Sequence, residues 1–368
     1  MTRWLHGDMH CHCERHDLVE AMFDGVDERL DFVALTNHAQ KPIMEEQAEM
    51  IGRARELLPG FPIFYGLEWN APVGVHINVI FPPSPNEAVN ALAFARAHDR
   101  GIEGSDPSIE SAMATLRALP KNDQPILFFN HPAAQPQFLK EHIDAFQTAA
   151  GPDIFVGVEA FHGHQGTVRP APIDNFSYPS SCVGGLCDHV YERRRHFALL
   201  SHSDFHVHKQ EQTPDYPLGV FSRSMVGISD SEDRARAVFA GLRAGRTCAS
   251  MGRWLELKRF SVGNAGIGET WKENGNEAFL CIEVEAAEPI RQLEVIGQFR
   301  EEQSPGVLIS LGEHPQGELS YEIPVPAGAT GFVRLRAVAA SDERPPPAPP
   351  APRLFLSSAV LLGTESAP

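Results

Sequence analysis

The sequence predicts an α/β fold, a distorted (β/α)7 TIM-like barrel followed by a smaller all-β sandwich domain. Three observations predict it. Up to about residue 253, short apolar runs alternate with polar stretches of helical character. From residue 254 onward the chain reads as strands separated by Gly, Pro and Asn turns, with no helical stretch. The 368 residues also exceed the about 250–300 that one hydrophobic core serves, so two domains are expected, 1–253 and 254–368.

In the first region, residues 31–35, 62–65, 76–81, 126–129, 154–158 and 197–200 are continuous apolar runs, as expected of buried parallel strands. The stretches between them, 18–30, 42–58, 86–99, 107–119, 138–149 and 231–244, read as helices. Pro107 suits a helix start after Asp106, and Gly245 suits the end of the last helix. So many strand–helix units in one region favour a closed barrel. In the second region, 255–260, 278–286, 290–296, 306–311, 318–323 and 331–338 read as strands of a β-sandwich of about 110 residues. The run RPPPAPPAPR at 344–353 reads as a polyproline loop before a last apolar strand at 354–362.

Composition narrows the function. The chain is 42% hydrophobic and 21% charged, as in soluble globular proteins. Lys and Arg number 31 against 48 Asp and Glu, a formal charge of -17. Such a surface repels polyanions, so a general nucleic-acid-binding role is not expected, though a local basic pocket stays open, and the expected partner is a small-molecule substrate. No apolar run approaches the roughly 20 residues of a membrane span, so no membrane partner is expected. The opening MTRWLHGDMHCHCERHD lacks the apolar segment of a secretion signal. Six Cys are too few for a disulfide framework, so reduced thiols and a cytoplasmic location are expected.

The chain carries 17 His, and many stand at strand ends. His10 and His12 are two apart, so on a strand both rings face one side and Cys11 faces the other. Asp17 follows. Thr36-Asn37-His38 comes directly after 31–35, and Gly66-Leu67-Glu68 after 62–65. His76 opens 76–81, Asn130-His131-Pro132 follows 126–129, and Ser203-Asp204-Phe205-His206 follows 197–200. In a barrel of parallel strands the C-terminal ends converge on one face, where active sites are built. Imidazoles mixed with carboxylates suit zinc, manganese or iron rather than a Cys-rich structural zinc site. The donors His10, His12, Asp17, His38, Glu68, His76, His131, Asp204 and His206 exceed what one tetrahedral ion takes, so two or three divalent ions are expected. Glu159 ends another strand, and the donor-rich loop beyond it holds His164. With His208 beyond Asp204, these are candidates for catalysis, for substrate contact or for supporting the ligands from behind, with His164 as general acid.

The ordered set HxH, Asp, TxH, GxE, His, HP and SDxH resembles the polymerase and histidinol phosphatase (PHP) superfamily of metal-dependent hydrolases, over roughly residues 6–250. The GHQG stretch at 163–166 and the β-rich tail resemble a subgroup of it that includes a carbamate-pesticide hydrolase. The resemblance implies a distorted seven-stranded barrel. It implies one ion held by His10, His12, Glu68 and Asp204, a second by a bridging Glu68 with His76 and His131, and a third by Asp17, His38 and His206. The usual Asp of the TxH element is Asn37 here, and CERHD follows His12 in place of the usual pattern. The function this implies is a metal-dependent hydrolase, a phosphoesterase acting on a small phosphate ester through metal-activated water. Carboxylester, carbamate or amide hydrolysis at the same metals, and a non-catalytic metal-binding module, are the alternatives.

Overall fold

The computed structural model describes residues 2–39, 42–132, 140–151, 153–161, 180, 182–206, 216–229, 231, 233–273, 277–343 and 353–363. Its centre is a parallel-rich sheet. Strands β1 (Arg3–His12), β2 (Phe32–Leu35) and β3 (Ile63–Ala71) are parallel neighbours. Next comes β4 (Val75–Phe81), antiparallel to both β3 and β5 (Ile126–Phe129). Parallel pairing resumes from β5 through β6 (Phe155–Glu159) to β7 (Ala198–Leu200). A short β8 (Phe205–His206) pairs with the end of β1. On the other flank of β1, β9 (Ser222–Ile228) and β10 (Thr247–Met251) are antiparallel. The two ends of this array approach each other. Leu199 N donates to Thr247 Oγ1 at 3.1 Å and Ser201 N to Ser224 Oγ at 2.9 Å, so the sheet curls round on itself through side-chain hydrogen bonds.

Both faces of the array are apolar, which is why its strands read as continuous runs. On one face Val33, Leu35, Tyr65, Leu67, Phe129 and Leu199 share a cluster with Met50, Phe94, Met113 and Phe146. Those four belong to α2 (Gln47–Leu57), α3 (Glu87–His98), α4 (Ile109–Ala118) and α5 (Lys140–Ala150), which follow the short α1 (Val19–Phe23). The opposite face gathers Phe32, Phe64, Ile80, Ile126, Phe128 and Leu200. After α6 (Leu186–Glu192), α7 (Arg234–Arg243) lays Val238, Phe239 and Leu242 on that second cluster. Asp233 caps α7 through Arg236 N, and Gly245, at φ 67°, ends the turn beyond it.

Several expectations are corrected. The run 76–81 is not a parallel strand. Only the short turn Pro72–Gly74 joins β3 to β4, and so tight a connection can only make an antiparallel hairpin. The run 62–65 is the start of a longer strand that carries Glu68 within it. The helix expected over 18–30 shrinks to α1. β9 and β10, SRSMVGI and TCASM, lack the apolar runs by which the other strands are recognised.

Beyond Trp254 no helix appears among the described residues. β11 (Leu255–Val262), β12 (Ala265–Gly266), β14 (Phe279–Ala286) and β17 (Gly317–Pro324) form a four-stranded sheet. β13 (Thr270–Lys272), β15 (Ile290–Gln298), β16 (Gly306–His314), β18 (Gly331–Ala339), β19 (Leu354–Ser357) and β20 (Val360–Gly363) belong to the other. Phe260 and Ile282 from the first and Val295, Leu335 and Val360 from the second share one hydrophobic cluster. β19 also pairs antiparallel with β10, so one backbone ladder runs from the N-terminal strands into the C-terminal ones. The last apolar stretch is thus two short strands. Of the Pro-rich run, 344–352 lies outside the described residues. No helix among the described residues is long and apolar enough to cross a membrane.

Candidate metal centre

The period-two alternation of the strands delivers the site. On β2, Phe32 and Ala34 face the interior, and Thr36 and His38 continue that face beyond the strand. Likewise Phe64 leads to Glu68 on β3, Ile126 and Phe128 to Asn130 after β5, and Leu200 to His202 and Asp204 after β7. β4 runs the other way, so His76 and Asn78 come before Ile80. β1 needs an adjustment, and a bulge between Asp8 and Cys11 provides it. Leu5 and Met9 join the interior cluster, His10 and His12 join the site, and Cys11 turns to the helix-covered face, as its place between the two His predicts.

Glu68 is the hub. Its Oε1 lies 3.2 Å from His10 Nε2, 3.0 Å from His76 Nδ1 and 3.1 Å from His131 Nε2. Its Oε2 lies 3.4 Å from His12 Nε2 and 3.1 Å from His38 Nδ1. Asp204 Oδ1 is 3.3 Å from His10 Nε2, 3.1 Å from His12 Nε2 and 3.3 Å from His206 Nε2. The His12 and His206 rings stack at 4.1 Å. His10, His12, Glu68, Asp204 and His206 are buried, while the side chains of His38 and His76 stay 18% and 28% exposed and mark the open side. His131 and Asp204 hold left-handed backbone, φ 30° and 51°, a strain that collects at functional sites.

The donors fit metal ions. His10 Nε2, His12 Nε2 and His38 Nδ1 are buried and make no well-formed hydrogen bond, though each lies close to carboxylate oxygens. They converge with those oxygens on shared points, which is how ligand sets are arranged. Three groups bring ligand atoms within 4.8 Å of one another: His10, His12, Glu68 and Asp204; His12, His38 and His206; and His38, Glu68 and His76. The cluster can therefore hold several divalent ions. Burial holds His12 and His38 below the usual imidazole range. Burial pulls His10 the same way, but Asp204, Glu68 and Glu159 outweigh it and raise His10 well above that range. His10 and its neighbours hold Glu68 well below the carboxylate range despite its burial. A metal cation takes over the charge that these protons otherwise balance.

Of the expected ligands, the structure gathers His10, His12, His38, Glu68, His76, His131, Asp204 and His206. It does not gather Asp17. The chain leaves β1 into the single turn His16–Leu18, where the Asp17 side chain is 65% exposed and pairs with Arg15 at 2.5 Å. The expected three-ion partition changes with it, since His12 and His38 each fall into two groups. Glu159 does not reach the open side. Its Oε1 lies 2.9 Å from His10 Nδ1 and 3.2 Å from His202 Nδ1, and its Oε2 accepts from His131 N at 2.5 Å. It is buried and held to a pKa of about 2, burial being outweighed by His10 and His202. Its place behind His10 suits a positioning role, since a proton on His10 Nδ1 shared with Glu159 would leave Nε2 free to bind metal. His164 and His208 lie outside the described residues.

Sequence reasoning passed over Asn78 and Ser224. Asn130 Nδ2 donates to Glu68 Oε1 at 2.9 Å and to Asn78 Oδ1 at 3.0 Å, and Asn78 Nδ2 donates to Met9 O. Ser224 Oγ lies 3.0 Å from His202 Nε2. The signal was a polar residue at an inward position of a strand, as in HINVIF. Asn37, where the family the sequence resembles carries Asp, has a visible role. Its Oδ1 accepts from Cys13 N at 2.9 Å and its Nδ2 donates to Cys13 O at 2.8 Å, and an ionised Asp has no such donor.

No family model matches the chain, and no curated protein matches it either. Among solved structures it is similar to the lesion-specific endonuclease PfuEndoQ from Pyrococcus furiosus, at 14% identity over 66% of this chain and 56% of that one, with a TM-score of 0.41. It is similar also to Endonuclease Q in complex with a 27-mer duplex substrate bearing an abasic lesion, at 12% identity, the same coverage and a TM-score of 0.37. The chain thus spans just over half the length of each. The expectation against nucleic acid is corrected here. It rested on net charge alone, and the structures this chain resembles are endonucleases, one with its duplex substrate. Net charge averages a whole surface and does not report one groove. The motifs that resemble the PHP superfamily in sequence are, Asp17 apart, assembled in space as well.

Proposed function

We propose that this chain is a metal-dependent hydrolase of phosphate esters, working at the cluster around Glu68. We read the curled array as a distorted (β/α)7 barrel spanning 1–253 with its site at one mouth, and 254–368 as a β-sandwich set against it. One observation carries the proposal: a single buried carboxylate, Glu68, lies within 3.4 Å of five imidazoles brought by four segments of the chain. By their spacing, His10, His12, Glu68 and Asp204 would hold one ion, His12, His38 and His206 another, and His38, Glu68 and His76 a third, with His131 beside Glu68.

Bound ions supply Lewis acidity, which lowers the pKa of water and draws charge from the ester oxygens. The chain's residues do the rest. Glu159 and Asn130 fix His10 and Glu68, so the ligand geometry is set before substrate arrives. His38 and His76 stand where a phosphoryl group enters, and the apolar layer beneath keeps water out of the interior. His164 is the proposed proton donor to the leaving group, with His208 as second candidate.

The test is metal content by elemental analysis with turnover of p-nitrophenyl phosphate, bis-p-nitrophenyl phosphate, p-nitrophenyl acetate and a duplex with an abasic site. Hydrolysis of a phosphate ester is expected. Asp204→Asn is expected to lose metal and activity together, on the order of 10²–10⁴-fold in rate. Full activity with metal retained in that variant refutes the site. Turnover of the acetate alone moves the reading to carboxylic esters, and metal without any turnover moves it to a binding module.

A further inference from the structure

A cavity of about 460 Å³ that shares no lining residue with the metal cluster is lined by side chains of β1, β9, β10, β11 and β14. His6, Arg223, Ser250, Trp254 and Glu256 line it, and Arg253 stands at its edge. Arg223 is 2% exposed. Its Nη2 donates to Gly219 O at 2.8 Å, but its Nε and Nη1 are buried without a hydrogen-bond partner. Trp254 Nε1 and His6 Nδ1 are likewise buried and unpartnered.

Other buried arginines each meet a carboxylate. Arg334 meets Asp188 at 2.7 Å and Arg336 meets Glu294 at 2.5 Å. Arg223 has no carboxylate at ion-pair distance among the described residues. The acids around the cavity are committed elsewhere: Glu256 and Glu285 to Lys258, at 2.9 and 3.1 Å, and Asp31 to His6 N at 2.9 Å. A buried guanidinium without a counter-ion is costly, and proteins keep such groups where a ligand completes them. Burial and the charge of Arg253 together bring Arg223 down to a pKa of about 9.

We propose that this cavity is a binding site for a small organic oxyanion, a carboxylate or a phosphate. Arg223 and Trp254 line the cavity and carry the unused donors, and Arg253, exposed beside them, adds positive charge. The planar fork of Arg suits both anions. The volume is within the range of small-molecule pockets and leaves room for an organic body on the anion. The site does not depend on the hydrolytic reading.

The test is calorimetric titration of the full chain with inorganic phosphate and, separately, with malonate, against chloride at equal ionic strength. Binding of either probe by the wild type is expected, and the stronger one names the anion. Arg223→Met is expected to weaken it at least about tenfold. Ala287→Phe fills the mouth from an exposed position, leaves packing intact and is expected to do the same. His12→Ala, at the metal cluster, is expected to leave it unchanged. Failure of the wild type to bind either probe overturns the proposal. So does unchanged affinity in Ala287→Phe, which decides the matter even where Arg223→Met fails to fold, and so does loss of binding in His12→Ala alone.

Discussion

The two regions of this molecule bury charge in opposite ways. Around the C-terminal strands, buried charges come as closed pairs. Arg336 of β18 binds Glu294 of β15, and Arg334 of β18 meets both carboxylate oxygens of Asp188 on α6, at 2.7 and 3.1 Å. Asp188 also accepts from Gly184 N at 2.8 Å, so that carboxylate is satisfied by the protein itself. Around Glu68 and Asp204 the count does not close. Two carboxylates face six imidazoles, and several buried ring nitrogens make no well-formed hydrogen bond. The difference teaches what each cluster is for. A self-satisfied pair holds elements together, and a set of converging donor atoms suits cations.

Breaking a closed pair gives the largest expected effect on stability. Asp188→Ala leaves Arg334 buried without its partner and is expected to cost about 3–5 kcal/mol. Urea unfolding followed by circular dichroism measures it. A smaller loss, under about 1 kcal/mol, would show that the pair is not what ties α6 to β18. An intermediate effect is expected from Glu159→Gln, which keeps the volume but removes the charge that sets the His10 tautomer. Metal affinity is expected to fall about 10–100-fold with little change in folding, as read by competition with a chelator. Unchanged affinity would mean that His10 needs no such support. The smallest effect is expected from Asp17→Ala. That side chain is exposed and paired only with Arg15, so stability is expected to move by less than about 0.5 kcal/mol and metal content not at all. Loss of an ion in that variant would restore Asp17 to the ligand set.

Much of the site was legible because strand periodicity and apolar runs are local signals. His38, Glu68, His131 and Asp204 each sit where an interior-facing register runs on past the apolar residues, and that register can be counted along the chain. Asp17 failed because a spacing after a strand does not say which way the following turn points. Glu159 was found at the right place, and of the tasks open to it the structure favours contact with other site residues over contact with substrate. Its position at a strand end is local, but its partners His10, His202 and His131 come from three other segments. β9 and β10 escaped notice because their inward residues include Ser224, which is satisfied by contact with His202 and Ser201 rather than by apolar packing.

The sequence by itself determined the alternation of strands and helices, the β-rich tail, and which imidazoles and carboxylates of residues 1–253 stand at strand ends, since these follow from side-chain type and short spacings. The tertiary structure alone decided that β4 runs against its neighbours, that a bulge turns His10 and His12 inward, that Asp17 stays in solvent, and that Arg223 is buried without a counter-ion. Each of those depends on contacts between residues far apart in the chain, and a linear pattern holds no record of which distant groups share a burial.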